Sequence, residues 1–319
     1  MTTRLGPNSS VSKLVRLAAL PAIVALTAAS CGSSSTPRAA SASESANTGA
    51  IQVVAAENFW GSIAVQLGGN HVHVTSIITD PNADPHSYEP TPADARTIAS
   101  AQMVIENGIG YDPWSGKLLA ADNGSRTILN VGDLLGLKEG DNPHRWYNPA
   151  DVDKVVATIT AAYSKLDPAD GAYFQSQRAT FEGSTLSQYH SLISEIRSRY
   201  ASTPVGASES IFSMMAPALG LNLITPYSFL RAISEGTDVS AADKSTIDNQ
   251  IKTHQIKVYV YNSQNTTPDV QAQLDECRAA GIPTTTITET LVPASSTFEA
   301  WQTQQLQGIL NVLHSATGR

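Results

Sequence analysis

Two short segments bounded by proline present histidines where no helix can form. DPHSYEP, from Asp84 to Pro90, carries His86 at its third position, and NPHRWYNP, from Asn142 to Pro149, carries His144 at its third position. Proline fixes local backbone angles and removes hydrogen-bond donors, so both segments are loops of restricted shape. Two imidazoles held in this way indicate two halves of one site.

Alternating strands and helices must position these loops. The apolar, β-branched runs IQVVAA, HVHVTSIIT and QMVIENG are predicted strands, and segments with helical apolar spacing separate them. A second run of the same kind follows residue 200, with PVGASE, LNLITPYSF, IKVYVYNSQ and IPTTTITETL as its strands. The pattern predicts an α/β protein with two lobes, each built on a mostly parallel sheet.

A long helical pattern lies between the two runs. We predict one linking helix over residues 167–200, about 45 Å long, although Gly171 and Gly183 weaken the pattern locally. This places an N-terminal lobe at 50–166 and a C-terminal lobe at 201–319. A rigid link of this kind predicts only modest lobe movement.

The N-terminus has the features of an export signal. Arg4, Lys13 and Arg16 precede an apolar run over residues 17–30, which is too short to span a bilayer. The run ends in LTAASC, which resembles a bacterial lipobox with Cys31 as the lipidated residue, although Ala28 stands where such boxes favour leucine. We therefore expect a signal peptide at 1–31, a Ser/Ala-rich tether at 32–49, and a protein lipid-anchored to the outer face of the cell membrane. An ordinary secretory signal cleaved nearby is the alternative, and it also predicts export.

The composition of the chain limits the class of protein and the kinds of partner to be expected. Of 319 residues, 41% are hydrophobic and 15% charged, which is typical of a globular protein. Loss of the three signal cations would take the formal net charge from −8 to −11. So acidic a body argues against nucleic acid as a partner and is compatible with cation capture. Cys277 is the only other cysteine, so no intramolecular disulfide is expected in the mature chain.

Taken together, these segments resemble the metal-binding class of solute-binding lipoproteins of bacterial ABC transporters. The resemblance covers nearly the whole mature chain, including the lipobox, both histidine loops, NGIGYDPW and the linking helix. It implies a divalent ion, Mn²⁺ or Zn²⁺, held as cargo in the interlobe cleft and passed to an ABC permease. It also implies a monomer that performs no chemical step.

The resemblance further implies four metal ligands. His86 and His144 match the first two, Glu209 in GASESIF matches the third, and Glu289 in TITETL matches the fourth. Zinc-type members usually have histidine in the third place and manganese-type members glutamate, while the fourth is usually aspartate. Asn142 replaces an aspartate usual in the second loop. Two neutral imidazoles and two carboxylates would neutralise a divalent ion and suit Zn²⁺ or Mn²⁺.

Other assignments stay open at this point. A metallohydrolase could use the same ligands, but four protein ligands would close the shell and no HExxH or Ser/His/Asp pattern is evident. A receptor for an iron chelate or cobalamin would share the two lobes and helical link, and a surface adhesin could keep the fold with a vestigial site. The remaining histidines are expected to be structural: His71, His73, His190, His254 and His314.

Overall fold

The computed structural model describes residues 49–319. The predicted signal peptide, Cys31 and nearly all of the predicted tether lie outside the described residues. None of the helices described in this range combines the length and apolar character needed to cross a bilayer.

The N-terminal lobe is built on a four-stranded parallel sheet. Its strands are ordered β2-β1-β3-β4. Val53 and Ala55 face the main core and the alternate residues Val54 and Ala56 face a smaller core on the other side, as the two-residue period of a strand requires. The elements are β1 Ile51–Glu57, α1 Asn58–Gly68, β2 Val72–Ile78, α2 Pro92–Ser100, β3 Met103–Glu106, α3 Pro113–Ala121, β4 Thr127–Asn130, α4 Val131–Leu135 and α5 Pro149–Leu166.

The C-terminal lobe repeats this topology. Its sheet is parallel with the order β6-β5-β7-β8. The successive strands of this lobe are therefore arranged in the same spatial order as those of the first sheet. The elements are β5 Pro204–Ala207, α8 Phe212–Met215, β6 Asn222–Leu223, α9 Tyr227–Ser234, α10 Ala241–Lys252, β7 Val258–Asn262, α11 Pro268–Ala280, β8 Thr284–Ile287 and α12 Phe298–Thr317, with α6 and α7 in the link described next. The predicted fold class, two α/β lobes with parallel sheets, is confirmed.

The link between the lobes differs from a single α-helix. Residues 168–170 form a 3₁₀ turn, α6 runs from Gly171 to Thr180, a π-helical turn covers Phe181–Thr185, and α7 runs from Ser187 to Tyr200. A π turn fits one extra residue into the helix and bends it locally. Gly183 lies inside this turn. Glycine has a low propensity for the regular α-helix, so a departure from α-helical geometry costs little at this position.

One hydrophobic core joins the two lobes. It includes Val53 of the first sheet, Val205 and Val258 of the second, and Leu186 and Ile196 of the link. The last helix closes the chain against both lobes, because Phe298 N donates to Ser62 Oγ of α1 at 2.8 Å while α12 also lies against β8. The loops at the carboxyl ends of the strands are therefore held by a common core.

Candidate metal centre

The candidate ligands all follow carboxyl ends of sheet strands. His86 lies beyond β2, Glu209 comes two residues after β5, and Glu289 comes two residues after β8. His144 lies beyond β4 and the short α4. Parallel strands end at the same edge of their sheet, which is where open α/β sheets bind ligands.

Three of the four predicted ligands converge. His86, His144 and Glu289 can each offer one ligand atom such that all three atoms lie within 4.8 Å of one another. His144 Nε2 lies 3.4 Å from Glu289 Oε1. His86 Nε2 is buried and has no hydrogen-bond partner within residues 49–319.

The His86 loop is folded by its own polar side chains. Asp84 Oδ1 accepts from His86 N at 2.9 Å, and Asp84 Oδ2 accepts from Ser87 Oγ at 2.9 Å. Downstream, Tyr88 Oη donates to Asp94 Oδ2 at 2.9 Å, and Asp94 also closes a capping box with Thr91 at the start of α2. The loop therefore leaves β2 and enters α2 with its histidine backbone fixed at both sides.

The His144 loop is anchored by burial and by a helix cap. Trp146 is fully buried and stacks on Phe59 of α1 with ring centroids 3.8 Å apart. Arg145 pairs with Asp151 of α5, and Asn148 caps α5 by accepting from Ala150 N at 3.0 Å. These contacts hold the backbone on the C-terminal side of His144.

Asn142 determines which nitrogen of His144 is free. Its Oδ1 accepts from His144 N at 3.1 Å and lies 2.9 Å from His144 Nδ1, while its Nδ2 donates to Ser210 O at 2.8 Å. Because a backbone N–H can only donate and a carbonyl can only accept, the amide orientation is fixed, and Nδ1 must carry the proton. The Nε2 lone pair is then left to face Glu289.

Electrostatics favour a neutral histidine beside an ionised carboxylate. Burial lowers the pKa of His144, an effect that Glu289 only partly offsets. Burial acts to raise the pKa of Glu289, but contacts with His144, His86 and Tyr111 outweigh it, and the pKa is lowered overall. Since Nδ1 already carries a proton, the 3.4 Å contact between His144 Nε2 and Glu289 Oε1 is favourable only with a positive charge there, either a second proton on the imidazole or a cation bound between the two atoms.

The fourth candidate, Glu209, lies outside this three-residue group. It is 2% exposed, and its Oε2 accepts from Asn262 Nδ2 at 3.1 Å, while Oε1 is buried without a hydrogen-bond partner in the part of the chain described. Burial and then the charge of Glu289 raise the pKa of Glu209 to about 8. Glu209 is thus a buried acid with one uncommitted oxygen, electrostatically linked to the group but not converged with it.

Two openings lead to the converged group. A cavity of about 310 Å³ is lined by His86 and His144 together with Tyr227 and Arg231 of α9. A second cavity of about 370 Å³ is lined by His86, Glu289 and Gln264. His86 borders both cavities.

Several polar residues around the site were not predicted from the sequence. Asn262 is the last residue of β7 and its side chain contacts the Glu209 carboxylate, while Gln264 follows β7 and its side chain contacts the Glu289 backbone. Glu57 at the end of β1 is fully buried, and burial followed by the charge of Asp112 raises its pKa well above the usual range. One feature of the sequence could have identified these residues: each is a polar residue at or just after the carboxyl end of a buried strand, where open α/β sheets bind ligands.

One of the remaining histidines also has a polar partner. His71 Nδ1 lies 2.7 Å from Asp170 Oδ2, and Asp167 lies near enough for the three to offer ligand atoms within 4.8 Å. The hydrogen bond joins the residue before β2 to the 3₁₀ turn before α6.

Fold and site together define a class: a two-lobed α/β binding protein with a histidine-carboxylate group beside its interlobe core. Residues 53–312 match the family model described as "ZnuA: Zinc-uptake complex component A periplasmic". The chain belongs to this family, as the sequence resemblance predicted.

Individual relatives are more distant. The chain is 29% identical over 171 residues to the iron-binding protein YfeA of Yersinia pestis, covering 50% of this chain and 53% of YfeA. It is 22% identical over 208 residues to the high-affinity zinc uptake system protein ZnuA of Bacillus subtilis, covering 58% of this chain and 62% of that protein. The chain thus matches little more than half the length of these curated relatives.

Among solved structures, the fold matches a Mn-bound periplasmic metal binding protein from candidatus liberibacter asiaticus. The TM-score is 0.68 at 21% identity, with 82% of this chain and 98% of that chain covered. At this identity the match establishes the shared fold.

Proposed function

We propose that this protein is the extracytoplasmic binding component of an ABC transporter and captures a divalent transition metal ion, Zn²⁺ or Mn²⁺, as cargo. One observation carries the proposal: the His144 Nε2 lone pair and Glu289 Oε1 face each other at 3.4 Å. Ligands about 2.0–2.2 Å from a tetrahedral ion lie roughly 3.3–3.6 Å apart. The spacing suits an ion bound between the two atoms better than a direct hydrogen bond.

His86 supplies the third ligand in this proposal, and Glu209 the fourth. His86 Nε2 and Glu209 Oε1 are buried atoms without partners among the described residues, which is costly unless something binds them. A cation within reach would satisfy both atoms and would favour the ionised form of Glu209. The shell then contains two neutral nitrogens and two carboxylates.

The ligand set bears on the identity of the cargo. Nitrogen and oxygen donors bind Zn²⁺ more tightly than Mn²⁺ along the Irving–Williams order, so zinc should bind well whichever ion is transported. A glutamate in the third position is the feature associated with manganese in the resemblance. The two curated relatives described above are named for iron and for zinc, and another relative is named for manganese.

The experiment is calorimetric titration of the metal-free mature protein with Zn²⁺ and Mn²⁺, together with elemental analysis of protein purified without added metal. We expect one tight site per chain. The double variant His86→Ala/His144→Ala should lose it, while His73→Ala, at an exposed position on β2, should keep it. Equal affinity of the double variant and the wild type would rule out this site.

Delivery and anchoring complete the proposal. A family of uptake components implies a membrane permease as the partner that receives the ion. Lipidation at Cys31 would keep the protein, a monomer in this proposal, at the outer face of the membrane. Cys31→Ser should release the protein into the soluble exported fraction, and its continued labelling with radioactive palmitate would refute lipidation at this residue.

A catalytic role receives no support from this site. Catalytic zinc sites keep an open position for water beside a general base. Here four protein groups surround the ion in the proposed state. The family consists of uptake components, and we propose binding without a chemical step.

A further inference from the structure

Gln264, in the segment that follows β7, bridges the two lobes beside the candidate site. Its Nε2 donates to Pro81 O at 2.7 Å, in the loop that carries His86, and to Thr290 Oγ1 at 2.9 Å. Its Oε1 accepts from Glu289 N at 2.6 Å and from Thr290 N at 3.0 Å. One side chain therefore contacts the loops of two candidate ligands, one in each lobe.

The orientation of this amide is fixed by its partners. Backbone N–H groups of Glu289 and Thr290 can only donate, and the carbonyl of Pro81 can only accept, so Oε1 and Nε2 cannot exchange places. Both amide hydrogens and both oxygen lone pairs are then used. No other uncharged side chain of the same length offers two donors and two acceptors in this arrangement.

The backbone around Gln264 is held as firmly as its side chain. Gln264 N donates to Asn262 Oδ1 at 2.9 Å, and Ser263 N donates to Ile287 O at 3.0 Å. Asn262 Nδ2 in turn donates to Glu209 Oε2. The segment thus links the carboxyl ends of β7 and β8, and from there it reaches across to the His86 loop.

We propose that Gln264 is a positioning residue that ties the His86 loop to the C-terminal lobe and thereby sets how long the metal ion is retained. The inference rests on the proposed metal-binding function and deepens it. An ion bound by His86 and Glu289 can leave only when these ligands separate. The Gln264 amide opposes that separation without contacting the ion.

Two substitutions distinguish the two halves of the bridge. Gln264→Glu keeps the acceptor for the two backbone N–H groups but removes the donor to Pro81 O, so it releases the loop. It also adds a negative charge, which would favour cation retention, so faster loss of the metal in this variant cannot come from charge. Gln264→Met removes all four hydrogen bonds at similar volume. Gln307→Glu makes the same chemical change at an exposed position on α12 and serves as the control.

The first measurement is the rate at which Zn²⁺ leaves the loaded protein into excess chelator. Loss of one or two hydrogen bonds predicts dissociation about tenfold faster in Gln264→Glu and at least as fast in Gln264→Met, with the binding stoichiometry unchanged. A merely destabilised fold would lower the stoichiometry instead. Gln307→Glu should match the wild type.

The second measurement is amide hydrogen exchange in the metal-free protein at His86 and Ser87, whose N–H groups donate to Asp84. Both should exchange about tenfold faster in the two Gln264 variants. Exchange and dissociation rates within twofold of the wild type would overturn the proposal. Failure of the wild type to bind metal would refute the proposed function, whereas the exchange data would still decide whether Gln264 holds the loop.

Discussion

At the scale of single residues, the candidate site depends on how the Asn142 side chain orients the His144 imidazole. Asn142 stands where the resemblance implies an aspartate, and its amide serves both sides of that position. The oxygen accepts from His144 N and Nδ1, and the nitrogen donates to Ser210 O and Ser213 Oγ. An aspartate could keep the first set of contacts but would place an oxygen against the carbonyl of Ser210.

This gives a prediction for Asn142. Asn142→Ala should weaken metal binding about 10- to 100-fold, because outer partners that fix a ligating imidazole contribute on that scale. Asn142→Asp should lose less, since it keeps an acceptor for Nδ1–H. Competition titration with a chromophoric chelator measures both affinities.

The order of the two variants is the informative outcome. Ser213→Ala removes only the hydroxyl that Asn142 Nδ2 contacts and should change affinity less than Asn142→Ala does. An affinity of Asn142→Ala equal to that of the wild type would show that His144 is oriented by other contacts.

At the scale of secondary structure, the helical link shows both what the sequence predicts and what it misses. Helical spacing over 167–200 correctly predicts a helical connection between two α/β lobes. The π turn at Phe181–Thr185 is missed because the spacing of apolar residues along the sequence is too coarse to show one additional residue in a single helical turn. The glycine at 183 was the only local signal.

That glycine leads to a stability prediction. A Cβ at Gly183 would meet no atom within 4 Å, and its backbone is helical, so Gly183→Ala should raise the free energy of unfolding by about 0.5–1 kcal/mol. Gly69→Ala is the contrasting variant. Gly69 has φ of +52°, and a Cβ there would clash with Tyr173 Oη, so this change should destabilise the protein. Urea unfolding of the metal-free protein tests both signs, and a destabilised Gly183→Ala would show that the π turn needs glycine.

The histidine loops illustrate how far the sequence reaches toward the site. Paired prolines predict that both loops are stiff, and the structure shows local contacts that favour this, such as Asp84 accepting from His86 N. The polar residues at the carboxyl ends of β7 and β1 were not predicted, because their role depends on which strand ends lie next to each other. Gln264 is 183 positions from Pro81, and local spacing contains no information on such a contact.

At the scale of the whole molecule, a hydrophobic core stabilises the fold, whereas a group of buried acids makes that stability depend on pH. The core runs from the first sheet through the link to the second. Close to Glu289 of the proposed metal site, Glu57 is fully buried and neither of its oxygens has a hydrogen-bond partner in the described chain. Asp112 accepts from Asn107 N and Gly108 N at 2.7 Å each, yet burial raises its pKa to about 7.

These acids predict how stability changes with pH. Both pKa values are raised in the folded protein, so between about pH 4 and pH 7 the folded state holds protons that the unfolded chain releases. Their stabilising contribution is complete at low pH and is lost as the pH rises through the folded-state values. The metal-free protein should therefore become less stable from pH 5 to pH 8.

Glu57→Gln tests this assignment, because glutamine stays neutral and matches the buried acid in shape. The loss of unfolding free energy between pH 5 and pH 8 should be smaller in this variant by about 1 kcal/mol or more. Glu89→Gln, at an exposed position, should keep the wild-type pH dependence. Parallel pH profiles for Glu57→Gln and the wild type would mean that Glu57 holds no proton in this range, and the pH dependence would then have to come from Asp112 or from Glu209.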